Sequence, residues 1–157
     1  MSLLTKLTNQ ASANGFTHRF VVTHDDLTET TDTTAQRLTV ACIAGQIVTH
    51  ASYKLVTAFN DSGGGDELDV EVGVTGGDVD GFIDNVGSDI HTDQTPATYV
   101  NGLGALVAAG GHLFAAAGSI QFAFTPDRAT GTAYNLAELN AGEIHFFLRI
   151  LDLAEQT

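Results

Sequence analysis

The chain of 157 residues and 16.4 kDa is long enough to bury one substantial core and short for two. Nineteen Asp and Glu against six Lys and Arg give a formal charge of −13, with no basic stretch to neutralise phosphates, so neither nucleic acid nor an anionic membrane surface is an expected partner. A hydrophobic fraction of 43% argues against wholesale disorder, and no run approaches about 18 uninterrupted apolar residues, so no membrane-crossing helix is expected.

The opening stretch MSLLTKLTNQ lacks the basic end, the long apolar run and the small-residue cleavage site of a signal peptide, so the chain is expected to be made in a cytoplasm and not exported. Residues 1–15 are expected as a flexible arm and residues 16–157 as a single β domain. From Phe16 to Thr23, Phe16, His18, Phe20 and Val22 alternate against Thr17, Arg19 and Val21, the period of two of a half-buried strand. His24 to Gln36 (HDDLTETTDTTAQ) is polar, short of core anchors and expected as a loop.

Leu38, Val40 and Cys42 alternate up to Ala44-Gly45, and beyond that turn Ile47, Ala51, Tyr53, Leu55 and Phe59 are expected on one face of a second strand. The run Asp61-Ser62-Gly63-Gly64-Gly65-Asp66 predicts a hairpin loop, since three glycines carry high backbone entropy and Asp and Ser favour turns. Leu68, Val70, Val72 and Val74 then face inward while Asp69 and Glu71 face water. After an acidic turn, Gly81 to Val86 reads as a short helical or extended piece and Ala97 to Val100 as a short strand following Pro96.

Gly102 to Gly118 holds five glycines in seventeen positions, each costing about 1 kcal/mol inside a helix, so strands broken at Gly110-Gly111 are expected there. Ile120, Phe122 and Phe124 alternate up to Pro126, and Ile144, Phe146, Leu148 and Ile150 alternate in the last strand. Phe147, Leu151 and Leu153 occupy the opposite face of that strand, which predicts a cover such as another subunit. The expected fold class is mostly β: an antiparallel β-sandwich, jelly-roll-like, with about eight strands and at most one short helix.

No nucleophile elbow, phosphate-binding glycine loop or paired metal-ligand motif is present, so no enzyme activity and no cofactor are expected. Cys42, the single cysteine, excludes an internal disulfide and reads as a small buried hydrophobe. The six histidines, His18, His24, His50, His91, His112 and His145, form no closely spaced pair. Asp78, Asp80 and Asp84 flank a glycine and offer hard oxygen ligands suited to Ca²⁺; no Glu closes a twelve-residue loop, and an ordinary turn is the simpler reading.

The succession LVTAFNDSGGGDELDVEVGVTGGDVDGFID, then GALVAAGGHLFAAAGSIQFAF, then LNAGEIHFFLRILDL resembles small virion proteins of tailed phages of the auxiliary head, or capsid decoration, type. The resemblance spans about Leu55 to Leu153 and is carried by LDVEVG, DVDGF, GHLFAAA and LNAGEI, none of them a catalytic motif. It implies a β-sandwich that assembles on itself, commonly as a homotrimer, on the major capsid protein at the outer face of the shell. The alternative expectation is a glycan- or receptor-binding jelly-roll module of a phage tail or fibre.

Overall fold

The computed structural model of the chain describes residues 4–6, 15–61, 67–84, 90–91, 99–127 and 133–153. Among these, nine strands follow one another: β1 (Leu4–Lys6), β2 (His18–Thr23), β3 (Gln36–Cys42), β4 (Gln46–Asp61), β5 (Glu67–Val74), β6 (Tyr99–Asn101), β7 (His112–Leu113), β8 (Gly118–Asp127) and β9 (Leu139–Asp152). A one-turn helix, α1 (Ala105–Ala108), lies between β6 and β7. All strand pairs are antiparallel and form two sheets, one ordered β1-β2-β9-β4-β6 with β7 also on β4, the other β3-β8-β5.

The pairing is nested. β2 pairs with β9, β3 with β8 and β4 with β6, while β5 meets Ile83 through a bridge at Val72. One long hairpin rolled so that successive pairs alternate between two facing sheets is a jelly roll, and this order supplies what periodicity alone leaves open.

The inward rows match the alternation in sequence. Phe20 and Val22 of β2, Ile144, Phe146 and Leu148 of β9, Leu68, Val70 and Val72 of β5, and Ile120, Phe122 and Phe124 of β8 are all buried. Their aromatic rings join the sheets: Phe20 lies 4.6 Å from Phe122 and Phe146 lies 4.7 Å from Phe122, centroid to centroid. Burying each such side chain contributes about 1.5–3 kcal/mol, and offset or edge contacts between rings add to it. Pro126 is tolerated in β8 because the register with β3 ends at Phe124, leaving β5 as the neighbour there.

Several expectations are corrected. β2 begins at His18, two residues later than the alternation implied, and Leu4–Lys6 of the expected arm pair with β2 as a short edge strand. Leu27 in the polar loop is buried, and Gln36 staples that loop, its Oε1 accepting from the N–H groups of Thr28 (2.7 Å) and Glu29 (2.9 Å) while its Nε2 donates to the Asp26 carbonyl (2.8 Å). Register shifts between Val48 and His50 invert the phase of β4, so Val48 is in the core and Ile47 faces out opposite Leu151.

The predicted hairpin at Gly63 to Gly65 falls in residues 62–66, outside the described residues; β4 and β5 belong to different sheets and do not pair with each other. Of the predicted strand at Ala97 to Val100, residues 97–98 lie outside the described residues and Tyr99–Asn101 pair with β4; Asn85 and Val86 also lie outside them.

The glycine-rich stretch is not simply two strands. The edge of β4 is paired by β6 and again by β7, and between them the chain leaves the sheet as α1, where the Leu106 N–H donates to the Gly81 carbonyl (2.7 Å). Gly102 is required here: a Cβ would collide with the carbonyl oxygens of Phe82 and Ala51, which press the excursion against both the turn after β5 and the edge of β4. Phe82, Ile83 and Ile90, core residues not expected from the alternation, are buried along this edge.

Candidate functional site

Alternation in β2, β9 and β4 sends a second set of side chains to the outer face of the larger sheet. Cross-strand register places Arg19 opposite Phe147, Ser52 on the other side of Phe147, Lys54 opposite His145 and His50 opposite Arg149. Three of the six Lys and Arg thus share one face; Lys6 is on β1, Arg37 on the other sheet, and Arg128 lies outside the described residues. Among the described outward residues of β2, β9 and β4, Glu143 is the one acid, and its Oε1 lies 2.6 Å from His145 Nε2.

The face has an aromatic centre. Thr17 fixes the start of β2 against β9, its Oγ1 accepting from the Ile150 N–H at 2.8 Å and its N–H donating to the Leu148 carbonyl at 2.9 Å. Phe16 consequently lies over Phe147 (5.9 Å between centroids) and His50 (5.7 Å). The expected cover on Phe147 is therefore supplied in part by the chain itself, while Leu153 remains 44% exposed. Burial, then the Arg149 charge, holds the His50 imidazole below its usual value; burial, then Lys6, does the same for His18. Arg19 Nε is shielded from solvent with no hydrogen-bond partner among the described residues.

The smaller sheet carries the opposite charge. Asp69 and Glu71 alternate with the buried row of β5, and the turn that follows holds Asp78, Asp80 and Asp84. Burial raises the Glu71 carboxyl above its usual value, repulsion from Asp80, Asp69 and Asp84 raises it further, and Arg37 partly offsets this. A hydrogen bond with Asp80 raises Asp78, with burial and repulsion from Asp80 and Asp84 acting in the same direction. Asp78, Asp80 and Asp84 thus share an acidic patch, yet among the described residues no three His, Cys, Asp or Glu side chains are grouped to hold a metal ion.

The remaining candidates are dispersed. His24 sits 3.4 Å from Asp25 at the surface, and His112 meets Phe114 edge-on at 4.7 Å. His91 and Asp61 are buried together with 3.5 Å between Nε2 and Oδ1, and the His91 ring lies 5.8 Å from that of Tyr134, whose hydroxyl donates to the Glu67 carbonyl at 2.7 Å. This polar group ties the end of β4 to residues 90–91 and 134. Cys42 is buried and burial raises its thiol, as for a packing residue.

The cationic face was partly readable, since Arg19, Lys54 and Arg149 each stand between two inward residues of a predicted strand. That the three strands are neighbours was not. Comparison with known proteins brings no relative: no family model, no curated protein and no solved structure matches. Fold and faces together define a jelly-roll β-sandwich with a cation-bearing aromatic face on one sheet and an acidic face on the other.

Proposed function

We propose that the chain is a structural virion protein, a capsid decoration protein of a tailed phage. In this reading it is made in the host cytoplasm and binds the major capsid protein on the outer surface of the shell as a homotrimer, stiffening the shell from outside. The observation that carries the reading is the placement of charge and aromatic groups on the outer faces of the sandwich, which supports a role in contacts with other proteins.

The segments that carry the sequence resemblance support it. LDVEVG is the central part of β5, DVDGF is the acidic turn, GHLFAAA contains β7, and LNAGEI opens β9, so the resembling pieces contribute strands to both sheets. The strong negative charge fits a saline medium, where repulsion is screened beyond roughly 10 Å.

The test is co-sedimentation of the purified chain with expanded tailed-phage heads that display the cognate major capsid protein but lack this chain. Saturable binding at a fixed ratio to the shell subunits is expected. Recovery of the chain only in the supernatant, at concentrations well above those found during infection, overturns the reading.

A further inference from the structure

We infer that the outer face of β2, β9 and β4 is the docking surface for a second copy of this chain, which presents its acidic β5 face and the turn that follows. The inference deepens the proposed function, and rests on that reading only in taking the outer faces as assembly surfaces.

A chain with a charge of −13 repels its own copies almost everywhere. Among the described residues the exception is the patch around Phe147, where Arg19 stands across the strand pair, Arg149 lies two residues further along β9, and Lys54 flanks His145. The complement is on the same molecule. Repulsion from Asp80 and Asp84 acts on both Glu71 and Asp78, so an approaching guanidinium relieves it as well as forming an ion pair.

The cationic patch is also suited to being covered. Arg19 Nε is already withdrawn from water, which lowers the further desolvation needed to bury its guanidinium. Phe16 and Phe147 give the patch an apolar centre with a charged surround, the anatomy of a protein contact. Because the two halves of the contact are different surfaces, the association is heterologous, and such contacts build rings when the rotation closes. The proposed homotrimer is then a ring in which every copy offers one face of each kind.

Light scattering on purified protein without capsids tests this, using two double variants: R19E/R149E, which breaks the cationic half, and E71K/D80K, which breaks the acidic half. The wild type is expected to form oligomers, and each variant alone to remain monomeric, with self-association weakened at least about a hundredfold. An equimolar mixture of the two variants is expected to recover association, because each retains the half that the other lacks and the reversed halves complement each other.

Assembly of E71K/D80K alone with the wild-type mass overturns the proposal, since the cationic face would then be pairing with itself. Assembly of R19E/R149E alone, or a mixture that stays monomeric, overturns it equally. A wild type that is monomeric in solution but binds heads overturns this inference while leaving the decoration reading intact. Circular dichroism and urea midpoints check that the variants are folded; where either is not, R19Q/R149Q and E71Q/D80N replace them, with the same three comparisons deciding.

Discussion

Phe20 and Phe122 belong to opposite sheets, yet their ring centroids are 4.6 Å apart, at an interplanar angle of 34°. Phe122 also touches Phe146 at 4.7 Å, so one ring on β8 locks two strands of the facing sheet. Phe122→Ala is expected to cost about 3–5 kcal/mol and to unfold both sheets together, seen as coincident loss of far- and near-ultraviolet dichroism in urea. A cost below about 1 kcal/mol, or two separate transitions, would contradict a shared aromatic core.

The buried polar pair makes a separate prediction. Asp61 and His91 are both buried, 3.5 Å apart, and removing one takes a close polar neighbour from the other at a site shielded from water. His91→Ala is expected to destabilise the chain by about 1–3 kcal/mol, and a double-mutant cycle with Asp61→Ala to show coupling between them. Additive costs in the cycle would show that the two residues act independently.

The pH response combines two opposing groups. His18 and His50 are held below their ordinary value of 6.5, so the fold prefers them neutral; their contribution is complete above that value and is lost as pH falls through it towards the folded value. Glu71 and Asp78 are raised above 4.5 and 3.8, so the fold prefers them protonated and loses stability as pH rises from those ordinary values through the raised ones. Glu29, lowered by hydrogen bonds from Thr31, opposes them in the carboxylate range.

The urea midpoint is therefore expected to fall between about pH 7.5 and 5.5, with Glu71 and Asp78 opposing further loss as pH drops into the carboxylate range. Glu71→Gln is expected to raise the midpoint at pH 7 and to change it less near pH 4. Equal effects at both values would show that Glu71 carries no repulsion in the fold.

Close backbone approach at the sheet edge predicts an intolerant site. Gly102→Ala would press a methyl group into the carbonyl oxygens of Phe82 and Ala51, with an expected cost of about 1–3 kcal/mol. Thermal unfolding of this variant checks it, and an unchanged midpoint would contradict the packing of the α1 excursion described above.

Much of the fold was legible because its inward rows alternate without interruption: Leu68 to Val74, Ile120 to Phe124 and Ile144 to Ile150 all lie where the period of two puts them. What failed was anything that depends on a partner strand. The bulge beyond Val48 is set by pairing with β9, so Ile47 could not be seen to leave the core. Gly102 and Gly104 gave no sign of their real role, close approach to Phe82 and Gly81, because those residues lie about twenty positions away in sequence. The candidate site shows the same division, for each cation's outward direction was visible while their convergence around Phe147 required the strand order.

The most direct test of the account is the mass of the chain in solution, by light scattering behind a sizing column at moderate salt. A stable species at three times 16.4 kDa, about 49 kDa, is predicted, in keeping with a closed ring. A single species of 16.4 kDa that persists as concentration rises would contradict assembly of the free chain through its cationic and acidic faces.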